Sequence, residues 1–225
     1  MQFNTATYGG ASLAAERNKV LRNTYALLAL SMLPTAAGAL LGIALHFSMT
    51  PLIGMLVFFG VAFGSFYAIE KTKESALGVF ILLGFTGFMG LWLSQILQVA
   101  LRFSNGGQMI GIAAVGTAAI FFSLSAVATV TKKDFSFMGK FLFVGLVLAI
   151  LASIANIFFH IPALSLAISS IALIIFSGYI LYDTSRIVNG GETNYISATL
   201  QLYLDVYNVF ISLLNILMIL TGRRD

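Results

Sequence analysis

Seven apolar stretches govern what this chain can become: residues 24–47, 52–69, 76–101, 108–130, 137–159, 163–187 and 196–220. Each is long enough to cross ~30 Å of hydrocarbon as a helix. No water reaches the backbone in that medium, so each segment must satisfy its own peptide groups, which a helix does. The links between stretches are too short for a soluble domain. The expectation is an all-α integral membrane protein, a seven-transmembrane-helix bundle. Residues 1–21 read as a cytoplasmic N-terminal tail and 22–225 as a single seven-helix membrane domain. Composition agrees: 59% of residues are hydrophobic and 9% charged, against about 25% charged in soluble domains. Cysteine is absent, which removes disulfides, thiolate metal sites and cysteine nucleophiles. The lipid bilayer is the expected partner, with no cofactor and no nucleic acid. The first twenty residues are polar, so no cleaved signal peptide is expected.

Local signals refine the picture. Pro51 and Pro162 suit helix starts, where a missing N–H costs little. Pro34 falls inside the first stretch and predicts a kink. Glycines recur at helical spacing: Gly38/Gly42, Gly60/Gly64 and Gly107/Gly111, with Gly84, Gly87 and Gly90 clustered in the third stretch. In lipid such residues let helices approach closely, so all are expected at packing seams. Lys and Arg placement sets orientation. With the N-terminus in the cytoplasm, that side holds Arg17, Lys19, Arg22, Lys71, Lys73, Lys132, Lys133, Lys140 and Arg186, and the far side Arg102, Arg223 and Arg224. The two terminal arginines favour an alternative in which one segment is re-entrant. His46 and His160 read as interfacial residues.

The last stretch carries a polar stripe of Asn194, Ser197, Gln201, Asp205, Asn208, Ser212 and Asn215. The steps of three and four residues place them on one side of a helix. A charge in such a stripe cannot face lipid, where it costs at least ~2.5–3.5 kcal/mol. This helix is therefore expected to be enclosed by others or to line water.

Of eight acidic residues, Glu16, Glu70, Glu74, Asp134, Glu192 and Asp225 fall in loops, at termini or at span ends. Asp183 and Asp205 lie inside spans, on two helices that a short Gly190-Gly191 link makes antiparallel neighbours. Two carboxylates close together in low dielectric cannot both ionise cheaply, so such a pair can couple protons to helix packing. Deprotonated, with carbonyl and amide oxygens nearby, it can also hold Ca²⁺ weakly; no fixed metal site is expected. Plainer readings stay open. Asp183 has Arg186 three residues on, which suits an ordinary ion pair, and Asp205 can simply hydrogen-bond within a network including Asn208. Counted from the Gly-Gly link, Asp183 is about five residues into its helix and Asp205 about eleven, an offset of ~9 Å. Direct pairing then requires an irregular end to the sixth helix or a late start to the seventh. Asn156, Ser169 and Tyr179 are candidates to line a polar interior.

Several motifs resemble one family. They are Tyr182-Asp183-Thr184-Ser185-Arg186-Ile187, Gly190-Gly191-Glu192-Thr193-Asn194-Tyr195-Ile196, and Leu202-Tyr203-Leu204-Asp205-Val206-Tyr207-Asn208-Val209-Phe210. Arg22-Asn23-Thr24-Tyr25, Gly84-Phe85-Thr86-Gly87-Phe88 and Lys132-Lys133-Asp134-Phe135-Ser136-Phe137 support them. Together they resemble the Bax-inhibitor family, the transmembrane Bax inhibitor motif proteins, in its bacterial YccA-like branch. The resemblance implies a seven-helix bundle with the C-terminal helix central. It also implies a pH-sensitive calcium leak channel gated by two aspartates, here Asp183 and Asp205. Family members studied as channels carry an arginine latch in the second helix. Residues 52–69 hold no basic residue, and Lys71 is the nearest candidate beside Arg186.

Three functions follow as expectations. The first is the proton-gated cation leak, with Ca²⁺ and protons as ligands. The second is a non-transporting substrate or modulator of a membrane-anchored ATP-dependent protease, gripped by a flexible tail over residues 1–16. Both are non-enzymatic and place the chain in the bacterial inner membrane. The third, remote, is an intramembrane aspartyl protease. Against it, no glycine precedes Asp205, and Pro162-Ala163-Leu164 comes before both acids rather than after them.

Overall fold

The computed structural model describes residues 5–159 and 161–221. Among them are seven helices and no strand: α1 (Thr5–Ala44), α2 (Pro51–Thr72), α3 (Ala76–Ala100), α4 (Gly106–Thr131), α5 (Met138–Phe159), α6 (Pro162–Asn189) and α7 (Tyr195–Thr221). All seven are long and apolar enough to cross a membrane. His160, Arg223 and Arg224 lie outside the described residues. Pro51 and Pro162 open α2 and α6 as expected, and Pro34 lies within α1 without interrupting it.

The largest departure from the sequence reading is at the start of the chain. Residues 5–21 were expected to be tail, yet α1 is a continuous helix of 40 residues from Thr5, ~60 Å at 1.5 Å per residue. That is twice the hydrocarbon thickness. Polar composition marked where the bilayer ends, which is not where a helix must end.

α7 is the hub. It packs against α1, α2, α3, α4 and α6, and among its described side chains only Leu220 is exposed. Leu202, Tyr203, Val209 and Leu214 on it are fully buried. α5 is the opposite case, packing on α6 alone, with Leu142 its one buried side chain. Exposed Leu, Ile, Val and Phe cover the outside, which in a bilayer is where apolar side chains rest.

The α1–α3 seam is made by glycine. A Cβ at Gly38 would collide with Gly87 O, one at Gly90 with Thr35 O, and one at Gly42 with Ser94 Oγ. Backbone therefore lies on backbone, the approach that small residues permit in lipid. The other pairs do not serve this purpose: Gly60, Gly64, Gly84, Gly107 and Gly111 have no atom within 4 Å of a built Cβ. Spacing identified their helix face but not what that face meets. Hydroxyls lock α7 to this seam. Thr35 Oγ1 and Tyr203 OH are 2.9 Å apart, Tyr203 OH reaches Thr86 O at 3.4 Å, and Tyr207 OH donates to Met89 O at 3.2 Å.

Candidate functional site

Local rules bring α6 and α7 together. α6 ends at Gly190, whose φ of 79° is left-handed, a conformation that suits glycine. Gly190 N donates to Ile187 O at 3.2 Å and Gly191 N to Arg186 O at 2.7 Å, the paired bonds of a Schellman cap. Asn194 then caps α7: its Oδ1 accepts from Ile196 N at 2.9 Å and Ser197 N at 3.1 Å. The Asn194 Nδ2 group faces the other way, donating to Lys73 O at 2.9 Å and Glu74 Oε1 at 3.0 Å. One side chain thus starts α7 and ties it to the α2–α3 link. On the same face, the α4–α5 link is stitched to α6. Ser185 Oγ accepts from Phe135 N and donates to Lys133 O, both at 3.0 Å, and Asn189 Nδ2 donates to Lys133 O at 3.2 Å.

Beneath this stitched face the two aspartates meet. Asp183 and Asp205 are 7% and 5% exposed, and their carboxyl groups lie within side-chain hydrogen-bonding reach of each other. Neither helix is irregular there. Asp183 lies six residues before the end of α6 and Asp205 ten after the start of α7, an offset of ~6 Å rather than ~9 Å. The irregularity that the sequence reading required is not needed. Two carboxylates are both acceptors, so their contact stands only with a proton between them. Asp205 Oδ2 is buried and has no other partner.

Around the pair, Arg186 Nη1 lies 3.9 Å from Asp183 Oδ1 and donates to Gln201 Oε1 at 3.4 Å, while Nη2 donates to Gly191 O at 3.2 Å. Gln201 Nε2 continues to Glu192 Oε2 at 3.3 Å, and Glu192 Oε1 accepts from Thr193 N and Asn194 N at 2.9 Å each. A chain of polar contacts therefore runs from Asp205 through Asp183, Arg186 and Gln201 to the α6–α7 link. Tyr179 stands within electrostatic reach of both carboxyls. From α1, the Arg17 guanidinium packs over Gly190, where a built Cβ would lie 2.8 Å from its Nε.

Other expected site residues lie elsewhere. Lys71 is exposed, its ammonium 5.7 Å from the centroid of Tyr67 on its own helix, outside the cluster. Asn208 Nδ2 donates to Leu204 O of α7 at 2.7 Å, a bond within its own helix. Ser212 is buried and Asn215 half-buried farther along the stripe. Asn156 closes the α5–α6 turn, donating to Ser165 Oγ at 2.6 Å and accepting from Ile161 N at 3.0 Å. His46, at the end of α1, is exposed. Glu192, expected to be merely solvated, belongs to the network, and its place just before an N-cap was the available signal.

Two link residues have shifted titration. A hydrogen bond to Glu70 holds the Lys73 ammonium above its ordinary range. The Ser136 hydroxyl and backbone N–H hold the Asp134 carboxyl below its own.

Helices of this length and apolarity, closed around an acid pair, make this an integral membrane protein. The chain belongs to the Bax inhibitor family: residues 17–222 match the family described as "Inhibitor of apoptosis-promoting Bax1". It is 43% identical over 200 residues to "Modulator of FtsH protease YccA" of Escherichia coli K12, covering 89% of this chain and 90% of that one. Identity and coverage are the same for "Inner membrane protein YccA" of Escherichia coli O6:H1. An "Uncharacterized membrane protein" of Vibrio cholerae is 42% identical over 208 residues, 92% of each chain.

Proposed function

We propose that this protein is a non-enzymatic modulator of a membrane-anchored ATP-dependent protease, seated in the bacterial inner membrane with its N-terminus in the cytoplasm. The observation that carries the reading is the likeness to a relative named for that role over nine-tenths of both chains. Two structural features fit it. α1 is twice as long as the bilayer requires, so its first turns project as a handle. The same helix is locked to α3 by backbone contact and to α7 through Thr35 and Tyr203. A protease pulling the handle must separate seams that hold the whole bundle, so the chain occupies the machine and is extracted slowly. Deleting residues 2–14 tests this. The truncated chain should insert normally and lose its effect on degradation of another membrane substrate. Undiminished modulation by the truncated chain would overturn the reading.

A second reading rests on the buried acid pair: a proton-sensitive cation leak, with Ca²⁺ as permeant ion and Asp183 and Asp205 as gate. Arg186, already against Asp183, takes the latch role suggested for a second-helix arginine. Calcium flux into liposomes across about pH 6 to pH 8 should lose its pH dependence in Asp183→Asn and Asp205→Asn. Equal, pH-independent flux in wild type and both variants would remove the leak.

A further inference from the structure

A cleft on the N-terminal face of the bundle takes no part in the acid pair. It lies between the α2–α3 and α6–α7 links, has a volume of about 470 Å³, and is bounded by Lys73, Glu74, Thr193 and Asn194 above Val79 and Phe80. That volume falls within the roughly 300–1,000 Å³ of small-molecule sites. Its walls are of two kinds. The rim is charged and hydroxylated, while Phe80 is 70% exposed on a membrane-crossing helix, so the floor opens towards hydrocarbon. A ligand that fills it must be polar at one end and apolar at the other.

The charges narrow the choice. Lys73 Nζ is bonded to Glu70 Oε1 at 2.5 Å, and an ammonium has two further N–H donors. Glu74 Oε1 accepts from Asn194, and a carboxylate has more lone pairs than that bond uses. Lys73 and Glu74 are the two charged residues of the rim and their charges cancel, so the rim favours neither a net anion nor a net cation. It matches a headgroup carrying both signs. We propose that the cleft holds one phospholipid with a primary-ammonium headgroup, of the phosphatidylethanolamine type. Its ammonium meets Glu74, its phosphate meets Lys73, and its acyl chains lie along Val79 and Phe80. This inference stands independently of the protease and leak readings.

Native mass spectrometry of the full chain, released from micelles holding equal phosphatidylethanolamine and phosphatidylglycerol, provides the test. Wild type should retain one phosphatidylethanolamine, favoured about tenfold over phosphatidylglycerol; Glu74→Gln should lose that preference, and Lys73→Gln should weaken retention of both lipids about tenfold, the worth of one charge-assisted bond. Thr193→Trp fills the cleft without changing charge, and should abolish retention at an unchanged unfolding midpoint. This variant decides the matter if a charge variant fails to fold. Equal retention of the two lipids by wild type, or full retention by Thr193→Trp, would overturn the proposal. Free phosphoethanolamine should compete poorly, and competition as strong as that of the whole lipid would rule out a lipid as occupant.

Discussion

Two seams hold this bundle, and they are built on opposite principles. Between α1 and α3 the chain removes side chains, so that Gly38 and Gly90 let backbone touch backbone and Gly42 makes room for the Ser94 side chain. Between α6 and α7 it inserts polar ones, so that Asp183, Arg186, Gln201 and Asp205 face each other out of the lipid. Both answer the same difficulty: apolar contact between helices gains little where the surroundings are equally apolar. The first solution depends on shape and is indifferent to pH. The second depends on buried polar contacts. A half held by shape and a half held by polar contact thus sit side by side, joined by α7.

The comparison can be broken most directly at Gly90. Gly90→Leu should force α1 from α3 and cost about 3 kcal/mol or more, seen as a fall in the unfolding midpoint equal at acid and neutral pH. Gly60→Leu, with open space around its Cβ, is the matched control and should leave the midpoint unchanged. Equal effects at the two positions would mean that the glycine seam is not what holds α1.

Asn194→Ala comes next. It removes an N-cap and two bonds to the α2–α3 link, so about 1–2 kcal/mol should be lost, with faster hydrogen exchange in the first turn of α7. Asp205→Asn is smaller in stability, about 1 kcal/mol or less, because an amide can donate to Asp183 and replace the shared proton. Its signature is qualitative: exchange protection along α6 and α7 should stop varying with pH, and that of α1 and α3 should not vary with pH in either protein. A variant that keeps the pH response would show that the proton lies elsewhere.

The smallest effect is expected at Asp134. Its carboxyl titrates below its ordinary range because Ser136 bonds the ionised form. The resulting stability is present above the ordinary value and lost as pH falls through the lowered one. Asp134→Asn should flatten that acid limb and lower the neutral-pH midpoint slightly.

Much of this was legible in the sequence. Span number and the enclosure of α7 follow from apolar length and from the cost of Asp205 in lipid, because each is a solvent constraint readable residue by residue. The pairing of Asp183 with Asp205 was legible as a consequence of the Gly190-Gly191 turn, but not its register. Register depends on where Asn194 starts the next helix, which shifts the count by a turn fraction. Gly60/Gly64 and Gly38/Gly42 share one spacing and differ in what stands opposite, which no local pattern contains. The helical start of α1 was missed because polarity reports the solvent around a backbone, not its conformation.

The hub position of α7 bears on how the molecule is made. It leaves the ribosome after all five helices it joins, and it is the least apolar span of the set. Until it arrives, Asp183 waits in the membrane without its counterpart, and Thr35 and Thr86 wait without Tyr203. Assembly therefore cannot finish piecemeal during synthesis. The bundle closes in one late event, and a nascent chain halted before that point is an unsealed shell, open to whatever surveys the membrane for unfinished proteins.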